Sequence, residues 1–182
     1  SAPKSYLENN ILGCHFLYSS CKKLKIKKII HISSSEVYGT PKKLPITEHT
    51  VFNPQSPYAA SKASADFIAK SYFYSFNLPI IILRPFNNFG PKQSLRAVIP
   101  TIINQALEGS EIKLGKVSTK RDFLYVSDTV EAILKTIKIN KDLFGEEINL
   151  GTNHTFKVNE IVNLVSSILK KKLVLKLNKE KL

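Results

Sequence analysis

The chain has 182 residues, of which 43% are hydrophobic, and this composition is typical of a folded globular protein rather than a disordered one. Its formal net charge is +13, but only three of the 27 basic residues are arginines, and the lysines are scattered. Proteins that read nucleic-acid bases usually group arginines with aromatic side chains, so we expect no nucleic-acid partner. No apolar run approaches the roughly 18 residues of a membrane-spanning helix, so we also expect no membrane insertion.

The predicted elements alternate between helices and continuous apolar strands. In chain order they are helix 5–24, strand 27–33, loop 36–56, helix 57–77, strand 79–83, loop 84–95, helix 97–107, strands 111–114 and 122–126, helix 128–139 capped by Asp128, strand 147–150, helix 158–169 and strand 173–177. Apolar strands that alternate with helices indicate a parallel sheet covered on both faces. The sequence therefore predicts an α/β fold, to which the shorter, later elements add a smaller α+β part.

Two cysteines, Cys14 and Cys21, lie seven residues apart in the first helical pattern. This spacing puts them on one face of the helix, where small apolar side chains are usually buried. Two cysteines alone cannot supply a four-ligand zinc site, and we predict no metal site.

Tyr58 and Lys62 are four residues apart in the helical pattern 57–77, so their side chains lie on the same side of that helix. A free tyrosine has a pKa of about 10 and is a poor base at neutral pH. A neighbouring cation favours the phenolate and is expected to lower the pKa of Tyr58. Such a pair is suited to remove a proton from a sugar hydroxyl while hydride leaves the same carbon.

The spacing alone is weak evidence, because it recurs at Tyr18–Lys22 and at Tyr38–Lys42. Only Tyr58 opens a helix and also follows a strand that ends in hydroxyls. These are Ser33, Ser34 and Ser35. A side chain at the carboxyl end of a parallel strand lies at the edge where open α/β sheets bind ligands, and the sequence therefore predicts a site there.

Five motifs, in the same order as in a known family, resemble the extended short-chain dehydrogenases/reductases that modify nucleotide sugars. They are NILG (10–13), ISSSEVYG (32–39), NPQSPYAASK (53–62), RPFNNFGP (84–91) and RDFLYVSD (121–128). The resemblance spans nearly the whole chain. It implies a Rossmann-like doubly wound parallel sheet, of which this chain holds the C-terminal part.

The resemblance implies that residues 1–95 belong to an NAD-binding domain carrying the catalytic side chains. Residues 96–182 would be mostly a substrate-binding part, with some elements returning to the Rossmann sheet. None of the seven glycines forms the family's glycine-rich phosphate loop, so we expect the chain to be a fragment that by itself binds NAD weakly and is inactive. For the full-length protein the resemblance implies a cytoplasmic homodimer that binds NAD, rather than NADP, and a nucleotide-diphosphate sugar.

Roles for single residues also follow from the resemblance. Tyr58 would be the catalytic base and Lys62 its partner, which also holds the nicotinamide ribose. Ser34 would hydrogen-bond the reacting hydroxyl. The implied cofactor-binding residues are Asn10, Ser33, Tyr58, Lys62 and Pro85. The implied substrate-binding residues are Ser34, Ser35, Asn87, Arg96, Val98 and Arg121. Arg84 is either a ligand contact or a structural ion pair at a strand end.

Glu36 bears on the type of reaction. In the family's 4,6-dehydratases a glutamate at this place removes the C5 proton, and the preceding aspartate helps to expel the C6 hydroxyl, whereas this chain has Ser35 there. Other segments are most similar to dehydratases acting on nucleotide-activated N-acetylglucosamine in legionaminic-type sugar synthesis. We therefore expect a dehydratase with Glu36 as a catalytic residue. A 4-epimerase of the UDP-glucose type, a UDP-glucuronate decarboxylase and a degenerate, non-enzymatic binding module remain as alternatives.

Overall fold

The structure is a computed structural model that describes residues 3–115, 117–139 and 141–177. Its helices are α1 (Pro3–Tyr6), α2 (Gly13–Lys23), α3 (Pro57–Phe76), α4 (Val98–Glu108), α5 (Val126–Lys138) and α6 (Val158–Leu169). Its strands are β1 (Ile29–Ile32), β2 (Ile80–Pro85), β3 (Asn87–Phe89), β4 (Glu111–Leu114), β5 (Lys120–Tyr125), β6 (Glu147–Leu150), β7 (Thr155–Lys157) and β8 (Val174–Leu177). A π-helical segment (Leu7–Leu12) joins α1 to α2, and short 3-10 helices occupy Ser35–Tyr38 and Lys141–Leu143.

The described residues form two compact units. The first contains residues 3–86 and 127–150, and the second contains residues 87–126 and 151–177. We predicted a division after residue 95, whereas the contacts change from one unit to the other directly after β2. Helix α5 and strand β6 then return to the first unit.

The first unit contains a parallel sheet in the order β1-β2-β6. All six residues of β2, the central strand, are buried, as expected for a strand with neighbours on both sides and covered faces. Helices α2 and α3 pack on this sheet through a core that includes Tyr18, Ala69, Tyr72, Leu78, Ile80 and Ile82. Cys14 and Cys21 are half-buried against the same core, which confirms that they share one face of α2. The predicted α/β class with a parallel sheet is confirmed.

The second unit has a separate core between two helices and short strands. Strands β3 and β5 pair in parallel, β7 pairs antiparallel with β5, and β4 pairs in parallel with β8. Helices α4 and α6 cover them with a core that includes Ile102, Ala106, Ile112, Leu114, Phe123, Val158, Ile161 and Val162. These elements form the predicted α+β part.

Three local predictions were wrong. The region 84–95 was predicted as loop, but Asn87–Phe89 forms a strand because it pairs with Phe123–Tyr125, which lies far away in the sequence. Strand β7 was missed because its three residues are ordered by pairing with β5 rather than by a pattern of their own. Helix α5 begins at Val126, so Asp128 lies in its first turn and is not its cap. At that position the negative charge of Asp128 stabilises the N-terminus of the helix.

A buried ion pair joins α3 to the central strand of the first unit. Arg84 Nε donates to Asp66 Oδ2 at 2.8 Å, and each residue is only 1% exposed. The same guanidinium donates to the Tyr38 hydroxyl at 2.8 Å and lies 3.4 Å from a carboxylate oxygen of Glu147. Burial would lower the pKa of Arg84, but the Asp66 charge and these hydrogen bonds raise it above its usual value. Arg84 thus forms a structural ion pair near the end of β2.

Replacing Asp66 with Asn should strongly destabilise the protein, because the buried Arg84 charge would lose its nearest counterion and keep only the more distant carboxylate of Glu147. We expect the free energy of unfolding to fall by about 3–5 kcal/mol, measured by urea denaturation. The double variant Asp66→Leu/Arg84→Met should recover much of this loss, since it removes both charges. As a control, Glu131→Gln breaks an exposed ion pair with Lys135 and should leave the unfolding midpoint unchanged. An unchanged midpoint in Asp66→Asn would contradict this account of the pair.

Candidate active site

The end of β1 leads directly into the short 3-10 helix that carries the predicted serines and glutamate. Ser34 is extended and caps this helix, its Oγ accepting a hydrogen bond from the Glu36 amide at 3.2 Å. Val37 and Tyr38 are fully buried and pack against α3, whereas Ser34, Ser35 and Glu36 are only partly buried. The buried Val37 and Tyr38 therefore anchor the turn, and the polar residues before them remain accessible at the carboxyl edge of the sheet.

Gly39 brings the segment before α3 close to this turn. It has a φ of +56°, and a Cβ added there would lie 1.9 Å from the carbonyl oxygen of Asn53. Because only glycine allows both this conformation and this approach, the backbone amide of Asn53 can donate to the Val37 carbonyl at 3.0 Å. Helix α3 then begins a few residues later beside the turn.

The first turn of α3 holds Tyr58 in place. Ser56 caps the helix by accepting from the Ala59 amide at 3.0 Å, and Pro57 occupies its first position. Ser61 Oγ donates to the Tyr58 carbonyl at 2.8 Å and accepts from Asn10 Nδ2 at 2.9 Å. Asn10 lies in the π-helical segment, a conformation that is often found at functional sites. In this structure Asn10 thus supports the turn that carries Tyr58.

The Ser34 hydroxyl lies near the phenol of Tyr58. Burial raises the pKa of Tyr58 above its usual value, the Ser34 hydroxyl opposes this shift, and the charges of Glu36 and Tyr6 raise the pKa further. The expected lowering of the Tyr58 pKa is therefore wrong for this structure. Glu36 lies on the same short turn as Ser34, and the charge of its carboxyl group reaches the phenol. Ser34, Glu36 and Tyr58 form one polar group.

Lys62 lies one turn further along α3 and also contacts the end of β1. Its Nζ donates to the Ile32 carbonyl at 2.7 Å. Burial lowers the pKa of Lys62, and the charges of Cys14 and Asp66 oppose this shift. Together, the predicted residues Ser34, Tyr58 and Lys62 converge at the carboxyl end of β1.

Two further predicted residues lie at the same edge of the sheet. Ser33 is 3% exposed, its amide donates to the Leu83 carbonyl at 2.7 Å, and its Oγ has no hydrogen-bond partner in the described part of the chain. Pro85 is buried at the end of β2. An unpaired buried hydroxyl at the carboxyl edge of a parallel sheet is a position where a bound ligand would supply the missing partner.

The other predicted substrate-binding residues belong to the second unit. Asn87 pairs in β3 and is half-buried, whereas Arg96 is exposed in the loop before α4. Val98 is the first residue of α4 and packs against the core of that unit. Arg121 is half-buried in β5, opposite Phe156 of β7.

Sequence reasoning missed a buried polar cluster next to Lys62. His31 Nε2 lies 3.2 Å from Asp66 Oδ1, and its Nδ1 lies 2.7 Å from the Tyr18 hydroxyl. Two signals could have revealed it: His31 interrupts an otherwise apolar strand, and Asp66 follows Tyr58 and Lys62 at the same four-residue spacing.

The sequence is similar to nucleotide-sugar dehydratases over most of its length. A sequence model of the family described as GDP-mannose 4,6 dehydratase matches residues 1–182. The dTDP-D-glucose 4,6-dehydratase of Dictyostelium discoideum is 37% identical over 175 residues, which cover 90% of this chain and 40% of that protein. The dTDP-glucose 4,6-dehydratase 1 of Escherichia coli K12 is 32% identical, and the match covers 93% of this chain and 52% of that protein. The chain thus spans about half the length of the curated relatives it matches.

Solved structures show the same relationship. The dTDP-glucose 4,6-dehydratase of Bacillus anthracis, in complex with NAD, has a TM-score of 0.85 and 35% identity, covering 94% of this chain and 56% of that one. The UDP-glucuronic acid 4-epimerase of Bacillus cereus, also with NAD, has a TM-score of 0.91 and 31% identity, covering 100% and 59%. The chain belongs to the GDP-mannose 4,6 dehydratase family, among the extended short-chain dehydrogenases/reductases that modify nucleotide sugars. Within the described residues, no helix is long and apolar enough to cross a membrane.

The buried cluster next to Lys62 should make stability depend on pH. Burial would lower the pKa of His31, but the hydrogen bond and charge of Asp66 raise it above its usual value of about 6.5. Folding therefore favours the protonated imidazole. Its stabilising contribution is complete below about pH 6.5 and is lost as the pH rises through the higher folded-state pKa.

Urea denaturation over a pH series measures this contribution. We expect the free energy of unfolding to fall across that window in a Cys14→Ser background, which removes a neighbouring thiol that also titrates. The fall should be smaller when His31→Gln is added. Equal pH dependence with and without His31 would contradict the assignment.

Proposed function

We propose that the chain is part of an NAD-dependent nucleotide-sugar 4,6-dehydratase, in which Tyr58 removes the proton from the C4 hydroxyl of the sugar. The observation that carries this proposal is the grouping of Ser34, Glu36 and Tyr58 at one edge of the parallel sheet, with Lys62 beside them. Ser34 is suited to orient the C4 hydroxyl, because its own Oγ is held at the cap of the 3-10 helix, near the phenol. The dehydratase relatives support this reaction.

Several residues fit a dinucleotide at this edge. The buried Ser33 Oγ lacks a partner among the described residues, the Lys62 ammonium is suited to hold a ribose hydroxyl, and Pro85 closes the end of the central strand. When bound, NAD supplies an acceptor for the C4 hydride and returns that hydride to C6. Its positive nicotinamide ring would also favour the Tyr58 phenolate, against the burial that raises the pKa of this residue.

Glu36 is the group suited to remove the C5 proton in the elimination of water. Glu36 follows Ser34 on the same turn and its charge acts on the Tyr58 phenol, so we place its carboxyl group beside the sugar ring whose C4 hydroxyl Tyr58 deprotonates. Ser35 follows Ser34 on the same turn and can hydrogen-bond the departing C6 hydroxyl, but a serine is a far weaker acid than a carboxyl group. We therefore propose that Ser35 orients this hydroxyl, and that the proton which Glu36 takes from C5 passes to it, so that water leaves and Glu36 becomes a carboxylate again.

The proposed substrate is a nucleoside diphosphate hexose. A net charge of +13 favours such an anionic ligand, and the arginine fork is suited to bind diphosphate oxygens in pairs. We assign Arg121, Arg96, Asn87 and Val98 of the second unit to substrate binding. The named relatives act on dTDP-glucose, whereas the sequence resemblance favours an N-acetylglucosamine nucleotide, so both belong in any substrate panel.

A 4-epimerase is the second candidate, because solved epimerase structures match the chain with TM-scores as high as 0.91. An epimerase needs the Ser34, Tyr58 and Lys62 group but performs no chemistry at C5. Glu36 is therefore the residue that separates the two reactions.

We also propose that the full-length protein is a cytoplasmic homodimer. Helices α2 and α3 expose large apolar side chains, among them Phe16, Phe67 and Tyr74, which an equivalent pair of helices could cover. Analytical ultracentrifugation of the full-length protein tests this proposal, and a monomer at micromolar concentration would contradict it.

Replacing Glu36 with Gln in the full-length protein should stop dehydration without stopping oxidation at C4. The amide keeps the size of the side chain but cannot remove the C5 proton, so reduced NAD should accumulate on the enzyme while the dehydrated product disappears. Absorbance of the bound cofactor and product formation are measured together. Tyr58→Phe should instead block the first step, lower turnover by about 10² to 10⁴-fold and accumulate no reduced cofactor.

The matched control is Glu131→Gln, which removes an exposed carboxylate on α5 and should leave both signals unchanged. Turnover of Glu36→Gln within a few-fold of the parent, with an epimerised product, would favour the epimerase. Normal dehydration by Glu36→Gln would overturn the role of this residue as the base.

A further inference from the structure

We infer that Tyr38 is a positioning residue for the Glu36 carboxyl group, an inference that depends on the proposed dehydratase function. Tyr38 is the last residue of the 3-10 helix and is 0% exposed, so it does not touch the substrate. It lies two residues after Glu36 in the same short turn. Whatever fixes the Tyr38 side chain therefore also limits where the Glu36 side chain can lie.

The Tyr38 hydroxyl is held on both sides. It accepts a hydrogen bond from Arg84 Nη1 at 2.8 Å and donates one to Asn149 Oδ1 at 2.8 Å. Asn149 Nδ2 is buried and has no partner among the described residues. The bond that Asn149 Oδ1 accepts from Tyr38 is therefore an important constraint on this side-chain amide. A phenylalanine would fill the same space but would leave a buried donor and a buried acceptor without this partner.

The 3-10 helix needs this support because it is only four residues long. Two backbone bonds flank it, from the Val37 amide to the Ser34 carbonyl at 3.3 Å and from the Gly39 amide to the Glu36 carbonyl at 3.1 Å. At its start, Ser34 caps the turn. At its end, the Tyr38 hydroxyl attaches the turn to strands β2 and β6 of the sheet.

The same guanidinium also fixes the helix that carries the tyrosine base. Arg84 Nε binds Asp66, which lies one turn after Lys62 on α3. Arg84 thus connects the turn with Glu36 to the helix with Tyr58 and Lys62, and Tyr38 is the link on the Glu36 side. Loss of this link should displace Glu36 while Asp66 still holds α3.

The expected consequence is selective. A small displacement of a catalytic group can cost a large factor in rate, and here it concerns proton removal from C5 rather than oxidation at C4. In Tyr38→Phe we expect kcat to fall by about tenfold with KM unchanged, and reduced NAD to build up on the enzyme at steady state. A general loss of structure would lower the active fraction without this build-up.

The matched control is Tyr72→Phe. Tyr72 is also a buried tyrosine of the first unit, but its hydroxyl bonds Ser19 at 2.6 Å and His15 at 3.1 Å between α2 and α3, away from Glu36. The two variants are compared in the full-length protein by kcat, KM, bound-cofactor absorbance and urea unfolding midpoint. Tyr72→Phe should accumulate no reduced cofactor. If Tyr38→Phe does not fold, Asn149→Ala removes one of the two bonds to the hydroxyl and should shift the same signals in the same direction.

Glu36→Gln distinguishes failure of this inference from failure of the proposed function. If Glu36→Gln accumulates reduced NAD but Tyr38→Phe behaves like Tyr72→Phe, the positioning role is overturned and the dehydratase assignment stands. If Glu36→Gln accumulates none, the dehydratase assignment fails, and the inference fails with it.

Discussion

The buried ion pair between Arg84 and Asp66 is the interaction on which the rest of the site depends. It brings a charge from the central strand against a charge from α3, in a place where neither is exposed to water. Such a pair is costly to bury, and it fixes geometry because only one arrangement satisfies both partners. Through Tyr38 the guanidinium also holds the turn after β1. Arg84 therefore contacts both the helix and, through Tyr38, the turn that carry the proposed catalytic side chains.

Helix α3 makes polar contacts with the sheet at four positions spaced four residues apart. Tyr58, Lys62, Asp66 and Lys70 lie on the same face of the helix, and each has a partner at or near the sheet. In the same order, the partners are Ser34, the Ile32 carbonyl, Arg84 with His31, and Glu147. Because every contact is polar and directional, a slip of the helix along the sheet would break all four. The contacts of Asp66 and Lys70 thus help to position Tyr58 and Lys62 on the same helix.

The sequence predicted those elements whose structure is decided by local patterns. It did not predict those that depend on pairing between residues far apart in the chain. A proline at a helix start predicted the helix now seen as α3, and a continuous apolar run predicted the buried strand β2, each to within a few residues. The ordered motifs predicted the Ser34, Tyr58 and Lys62 group. Strand β3 was missed because Asn87–Phe89 has no pattern of its own and is ordered by β5. The raised pKa of Tyr58 was missed because it comes first from burial, which depends on the tertiary packing around α1 and the 3-10 helix. The partners of Arg84 were likewise unpredictable, since Asp66 and Glu147 come from elements far apart in the chain.

Mass analysis of the product formed in D₂O by the full-length protein tests the central claim most directly. The substrates are dTDP-glucose and an N-acetylglucosamine nucleotide, each offered with NAD. A dehydratase with Glu36 as its base removes one water molecule, introduces one solvent deuterium at C5 and transfers the C4 hydrogen to C6 within the same molecule. We predict that product for at least one substrate. A product that keeps all its oxygen and gains no deuterium at C5 would contradict the account.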